Sequence, residues 1–172
     1  MKIRVLFVAC LLACTFVLSA CAPHKQPPER PKLGGRPTHI GIITKVSEGD
    51  TLSAAINGIP ETIRLTGIDC PEHDQPFAKE ATQLAKKLAL EKAVRVTELG
   101  RDKYHRLLGE VVLPNGRMLN RELVREGVCW WYQKYAPRDT VLEGLEKYAR
   151  EERKGLWIDL QPVPPWEWRK RK

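Results

Sequence analysis

The stretch HIGIITKVSEGDTLSAAINGIPETIRLTGI, residues 39–68, decides the fold. It contains three runs rich in β-branched and aliphatic side chains, His39 to Val46, Thr51 to Asn57 and Thr62 to Ile68. Between them lie Ser47-Glu48-Gly49-Asp50 and Gly58-Ile59-Pro60, residue types that turn the chain. Short runs of this kind, bounded by turn signals, predict a three-stranded meander. Downstream, Phe77, Ala81, Leu84, Ala85 and Leu88 recur at helical spacing, with Asp74 as a candidate cap and Pro76 in the first turn. Ala93 to Leu99 and Leu107 to Leu113 add two strands, the second ending at Pro114-Asn115-Gly116. Met118 to Glu126 and Asp139 to Arg153 predict two more helices, stopped by Gly127 and Gly155. Trp130, Trp131 and Trp157 read as core packing. Five short strands with about three α-helices and no βαβ alternation predict a mainly β domain over residues 38–160. The expected architecture is a five-stranded OB-fold barrel, which often binds oligonucleotides.

Toward the N-terminus the character changes. Lys2 and Arg4 precede an apolar stretch from Val5 to Leu18, too short for an ordinary membrane span, so residues 1–20 are expected to be an export signal. Leu18-Ser19-Ala20-Cys21 resembles the lipobox of bacterial lipoproteins, which implies acylation of Cys21 and attachment to a membrane. Ala22, where an aspartate is absent, favours by the same resemblance the outer membrane of a didermal cell. Residues 21–37 hold five prolines and almost no apolar side chains, so they form the lipidated cysteine and a tether with a reach of roughly 50 Å. At the other end, residues 161–172 combine Pro162, Pro164 and Pro165 with Trp166, Trp168 and a basic run from Arg169 to Lys172. This tail is expected to be poorly ordered.

The chain has 29 Lys and Arg against 21 Asp and Glu, a net charge of +8, and loss of Lys2 and Arg4 with the signal leaves +6. A basic exported protein points to polyanionic partners such as nucleic acid, but charge names the partner class and not the reaction. No motif points to a protein partner. Of five cysteines, Cys10 and Cys14 leave with the signal and Cys21 carries lipid, so Cys70 and Cys129 remain, as one disulfide or as two buried thiols.

The chemistry gathers where the meander turns. Asp50 follows the first turn, and Arg64, Asp69 and Glu72 fall within nine residues along and past the third run. On a continuous strand, Arg64 and Ile68 share a face and Asp69 projects from the end. Carboxylates from Asp50 and Asp69 are hard oxygen ligands suited to calcium, Glu72 is placed to exchange a proton with water, and Arg64 can neutralise phosphate.

Glu48-Gly49-Asp50-Thr51, Arg64-Leu65-Thr66-Gly67-Ile68-Asp69-Cys70-Pro71-Glu72 and Asp102-Lys103-Tyr104-His105-Arg106 resemble, in order, the three active-site motifs of the staphylococcal nuclease family. The likeness continues through Leu119 to Gly127, so it spans most of residues 38–157. It implies a calcium-dependent nuclease that hydrolyses DNA and RNA without regard to sugar and leaves 3′-phosphates. By the same resemblance Asp50, Asp69 and the backbone carbonyl of Cys70 bind calcium, Glu72 is the general base, and Arg64 and Arg106 grip the phosphate. Lys103 and Tyr104 match residues near the terminal phosphate of a nucleotide. Tyr135 matches a family tyrosine, and its base-stacking neighbour is Gln133 here, with Tyr132 or Trp131 as substitutes. The family's glycine before Arg106 is His105, which strains the turn if that position needs a positive φ. A binding module without catalysis, or an envelope scaffold, are other readings of a basic barrel, but neither requires all five of Asp50, Arg64, Asp69, Glu72 and Arg106.

Overall fold

The computed structural model describes residues 35–171. The expected signal, Cys21 and nearly all of the tether therefore lie outside the described residues. Strands β1 (Thr38–Glu48), β2 (Thr51–Ile56), β3 (Ile59–Leu65), β5 (Ala93–Arg101) and β6 (Leu107–Val112) close a barrel in the order β1-β2-β3-β6-β5. The β3–β6 pair is parallel and the other neighbours are antiparallel. This is the five-stranded barrel expected from the sequence.

Alternation explains which residues face inward. In β2, Leu52, Ala54 and Ile56 are buried and their neighbours are not, as period 2 requires. In β1 the buried Ile43 and Val46 are three apart, which a regular strand forbids. A register shift between Ile43 and Lys45 supplies the extra residue that turns both inward, and a second follows between Val46 and Glu48. Asn57 and Gly58, with φ of 52° and 79°, make the tight β2–β3 turn. The Gly58-Ile59-Pro60 link expected from sequence is thus displaced, since Ile59 and Pro60 already pair with β2.

The third run also breaks earlier than expected. β3 ends at Leu65, Gly67 turns the chain at φ 74°, and Ile68–Asp69 form a separate short strand, β4, paired with β7 (Trp130–Trp131). The shared face of Arg64 and Ile68 inferred from a continuous strand therefore does not exist: Ile68 is in the core. Cys70 follows immediately and is disulfide-bonded to Cys129, which precedes β7. Gly49 fits here because a Cβ would lie 2.9 Å from both Ala81 Cβ and Cys70 Sγ.

Helix α1 (Ala78–Ala89) packs Ala81, Ala85 and Ala89 into the core. It starts after Phe77, in the left-handed region with φ 68°, and no side chain caps it. Asp74 and Pro76 lie ahead of the helix, and the Asp74 carboxylate accepts a hydrogen bond from Trp168 Nε1. α2 (Leu119–Arg125) and α3 (Thr140–Glu151) match expectation, and Asp139 caps α3 by accepting from the N–H groups of Val141 and Leu142. Trp130 and Trp157 are buried edge to face at 5.5 Å, while Trp131 is only partly buried.

The tail departs most from its sequence. Pro165–Trp168 form a fourth short helix, α4, continued by a 3-10 turn over Arg169–Arg171. Pro165 is buried, Trp166 packs against the cluster of Trp130, Ala149, Leu156 and Trp157, and Gln75 Nε2 donates to the Val163 carbonyl at 2.6 Å. Proline at the first helical position and two tryptophans that bury apolar area outweigh the basic run. Among the described residues no helix is long and apolar enough to cross a membrane.

The disulfide spans 59 residues, a loop whose closure entropy is worth about 4 kcal/mol to the folded state. Reduction, or a Cys70→Ser/Cys129→Ser double substitution, is expected to lower stability by about 2–4 kcal/mol in urea denaturation.

Candidate active site

Asp50 stands at the β1–β2 turn, where its main-chain carbonyl receives the Leu65 N–H at 2.8 Å and ties the turn to β3. Its carboxylate is buried. One oxygen accepts from the Cys70 N–H at 2.7 Å and pairs with Arg64 Nη1 at 2.8 Å, and the other accepts from Thr51 Oγ1 at 3.1 Å. Arg64 reaches on to Asp69, donating from Nη2 to Oδ1 at 2.7 Å, and its Nη1 also donates to the carbonyls of Leu65 and Ile68, both at 3.2 Å. One planar guanidinium thus brings together a carboxylate of the β1–β2 turn and one of β4. The Cys70 backbone is pinned beside them by its N–H on Asp50 and by the disulfide.

Glu72 sits beyond Pro71 on the cleft wall, its own N–H donating to Gln75 Oε1 at 3.1 Å. Its carboxylate is partly exposed and is met by Arg169 of the tail at 2.6 Å. Arg169 also donates from Nη2 to Asp69 Oδ2 at 2.9 Å. The four acids Glu48, Asp50, Asp69 and Glu72 outnumber the two arginines, Arg64 and Arg169, so this end of the cleft is acidic within a basic protein. Burial, with the charges of Asp50 and Glu72, pushes the Glu48 carboxyl above its ordinary range. Burial likewise raises Asp69, against the pull of Arg169 and Arg64.

The opposite wall comes from the β5–β6 turn. Asp102 holds it by accepting from the N–H groups of Tyr104 and Arg106, both at 2.9 Å, and from Arg106 Nε at 2.7 Å. Burial opposes its charge, but these bonds hold the Asp102 carboxyl below its usual value. With Nε anchored, the terminal nitrogens of Arg106 are left for the cleft. Lys103 Nζ lies 4.9 Å from the Tyr104 ring, and Tyr104 is exposed. Across the opening, Tyr132 and Tyr135 meet edge to face at 4.8 Å, and Tyr135 is exposed. One face of Tyr132 is covered by Trp166, stacked at 5.1 Å and 5°. Asp50, Arg64, Asp69, Cys70, Glu72, Lys103, Tyr104, Arg106, Tyr132 and Tyr135 all line one cleft of about 730 Å³, while Trp131, the other candidate for stacking, does not line it and donates from Nε1 to the Ala136 carbonyl.

Sequence reasoning missed Arg169, Trp166 and Asp102. Asp102 was visible only as the first residue of a motif, and Arg169 only as part of a basic run. The signal that could have found the tail's role is Pro164-Pro165-Trp166, a helix start with an aromatic anchor.

The donor set fits a hard divalent cation. Asp50 and Asp69 are buried carboxylates whose nearest oxygens share one guanidinium, and the Cys70 N–H is bonded to Asp50. Among the described residues no group of three or more His, Cys, Asp or Glu side chains is placed to hold a metal ion by itself, so a cation here would depend on main-chain or solvent oxygens as well.

The family described as staphylococcal nuclease homologue matches residues 62–159, which include Arg64, Asp69, Glu72 and Arg106 and stop short of Arg169. An uncharacterized endonuclease of Escherichia coli O157:H7 is 42% identical over 132 residues, 77% of this chain and 86% of its own. A micrococcal nuclease of Shigella flexneri is 36% identical over 139 residues, covering 76% of this chain and 80% of its own. An uncharacterized endonuclease of Haemophilus influenzae is 32% identical over 168 residues, 97% of this chain and 85% of its own.

His105 stands in the left-handed region at φ 63°, so the strain foreseen for a non-glycine residue here is present. His105→Gly is expected to raise stability by about 0.5–1 kcal/mol in urea denaturation, the relief of the left-handed penalty less glycine's extra chain entropy.

Proposed function

The chain belongs to the staphylococcal nuclease family and is a nuclease, and from that premise we propose that it hydrolyses both DNA and RNA with calcium, leaving 3′-phosphates, at the cell envelope. The observation that carries this reading is the convergence of Asp50, Arg64, Asp69, Glu72 and Arg106 on one cleft. In this reading Asp50, Asp69 and the Cys70 carbonyl hold the cation, which when bound polarises the phosphate and lowers the pKa of water.

The remaining work falls to the protein's own side chains. Glu72, the more exposed carboxylate, faces the cleft and takes the proton of the attacking water. Arg64 and Arg106 stand on the two walls and face the equatorial oxygens of a phosphate between them. A guanidinium stabilises the extra charge of the five-coordinate transition state more than that of the ground state. Asp102 contributes by fixing Arg106, so that little ordering is left to the moment of reaction. Lys103 and Tyr104 bind a flanking phosphate. Tyr135, with the free side of Tyr132, offers stacking surfaces that accept any base, which suits cleavage without regard to sugar or sequence.

Quenched single-stranded DNA and RNA reporters are both expected to be cut in calcium and spared in chelator. Glu72→Gln is expected to lose about 10²–10⁴-fold in rate while unfolding at or near the wild-type midpoint, and Arg64→Ala to lose as much with a lowered midpoint, because it leaves Asp50 and Asp69 buried without their cation. Cleavage that persists in chelator, or ends bearing 5′-phosphate, contradicts the proposal.

Attachment to a membrane through Cys21 is supported by the Leu18-Ser19-Ala20-Cys21 motif. Expressed in a bacterium, the protein is expected in the membrane fraction and Cys21→Ala in the soluble fraction. Equal partition of the two removes the anchor.

A further inference from the structure

The tail brings a cation to the site in a form that the catalytic reading does not use. Three contacts fix its path: Gln75 Nε2 to the Val163 carbonyl at 2.6 Å, Trp168 Nε1 to Asp74 at 3.2 Å, and Trp166 stacked on Tyr132 at 5.1 Å. Asp74 and Gln75 lie just past Glu72, so the tail is anchored on the loop that carries the proposed base. Arg169 is thereby delivered to Glu72 Oε1 at 2.6 Å and to Asp69 Oδ2 at 2.9 Å, with Asp69 Oδ1 at 3.5 Å.

The two arginines that meet Asp69 are not equivalent. Arg64 takes Asp69 Oδ1 from within, its side chain 17% exposed, whereas Arg169 takes Oδ2 from the cleft side at 41%. Between them both oxygens of Asp69 are occupied. A guanidinium has no acceptor and does not give up its proton. While docked, Arg169 therefore blocks the Glu72 oxygen it holds from receiving the proton of water, and it places a fixed positive charge where a metal cation needs an oxygen. Because it is exposed and tethered, it can leave without unfolding the barrel, and it is always at hand to return. A nucleic acid strand entering the cleft offers phosphates as alternative partners, since Arg169 lines the same cleft as Arg64 and Arg106.

We propose that the C-terminal segment is an intramolecular plug, in which Arg169 occupies the Asp69 and Glu72 carboxylates of the free protein in competition with the divalent cation. The inference rests on the reading of Asp69 as a cation ligand. It has a reciprocal consequence: a strand that draws Arg169 away strengthens cation binding, and a bound cation frees Arg169 for the strand. Nuclease action is then held back until cation and substrate are both present.

The test is calorimetric titration of calcium into the protein without nucleic acid, comparing wild type with Arg169→Ala and Arg169→Gln. A Lys170→Ala/Arg171→Ala double variant serves as control, because it removes more charge but neither residue touches Asp69 or Glu72. If the plug is docked about nine-tenths of the time, both Arg169 variants bind calcium about tenfold tighter, and the control stays within about twofold of wild type. Hydrogen exchange of backbone amides in residues 165–171 is expected to rise when calcium is added to wild type. Equal affinity in wild type and the Arg169 variants, or equal tightening in the control, overturns the plug and leaves the cation site standing. Absence of calcium binding in every form overturns the cation site and the plug together.

Discussion

Arg64 holds Asp50 at 2.8 Å and Asp69 at 2.7 Å, and the side chains of these acids are 5% and 1% exposed. Carboxylates at that depth lose most of their hydration, and without a close cation each would be strongly destabilising. The pair of contacts therefore couples three segments, the β1–β2 turn, the end of β3 and β4, and the site exists only when the barrel is closed. The Cys70 N–H on Asp50 and the disulfide to Cys129 hold the far side of the same arrangement. Removing Arg64 would cost structure as well as charge, which is why the comparison of activity with unfolding midpoint matters for that residue.

One guanidinium cannot neutralise two buried carboxylates and the two glutamates beside them. The remaining negative charge makes this end of the cleft attractive to a second cation, whether a divalent ion, Arg169 of the tail or both in turn. The opposite wall is differently built. There Asp102 is used up in fixing Arg106, and the exposed Lys103 and Tyr104 leave the wall basic and suited to phosphate. The cleft is thus polar, with buried carboxylate oxygens on one side and basic side chains on the other, and rigid strands and a short tight turn hold the two apart.

The tail joins the two themes. Its tryptophans anchor it, one on Tyr132 and one on Asp74, and Arg169 then falls over the acidic end of the cleft. A surface that would otherwise stack bases is partly covered by the same segment that carries Arg169, so tail and substrate meet on both aromatic and ionic ground.

Much of the molecule was legible in its sequence because the signals were local. Period-2 alternation in residues 51–56, turn residues between the runs and helical spacing in residues 78–89 mark elements whose burial is set by near neighbours. The motifs around Asp50, Arg64 to Glu72 and Asp102 to Arg106 marked the chemistry by residue type and order. The end of β3 at Leu65 was not legible, because Ile68 and Asp69 form a separate strand by pairing with Trp131 and Trp130, more than sixty residues away. Nor was the choice between disulfide and free thiols, which depends on whether Cys70 and Cys129 are brought within reach. The tail was misread for the same reason: prolines and a basic run look like solvated chain until Tyr132, Asp74, Gln75 and the Asp69–Glu72 pair are there to receive it. Sequence by itself determined the barrel class and the inventory of reactive groups, since these follow from local pattern and composition. Which charges face each other, and that Arg169 meets the same carboxylates as Arg64, was decided only by tertiary structure, because long-range contacts leave no periodic trace in the chain.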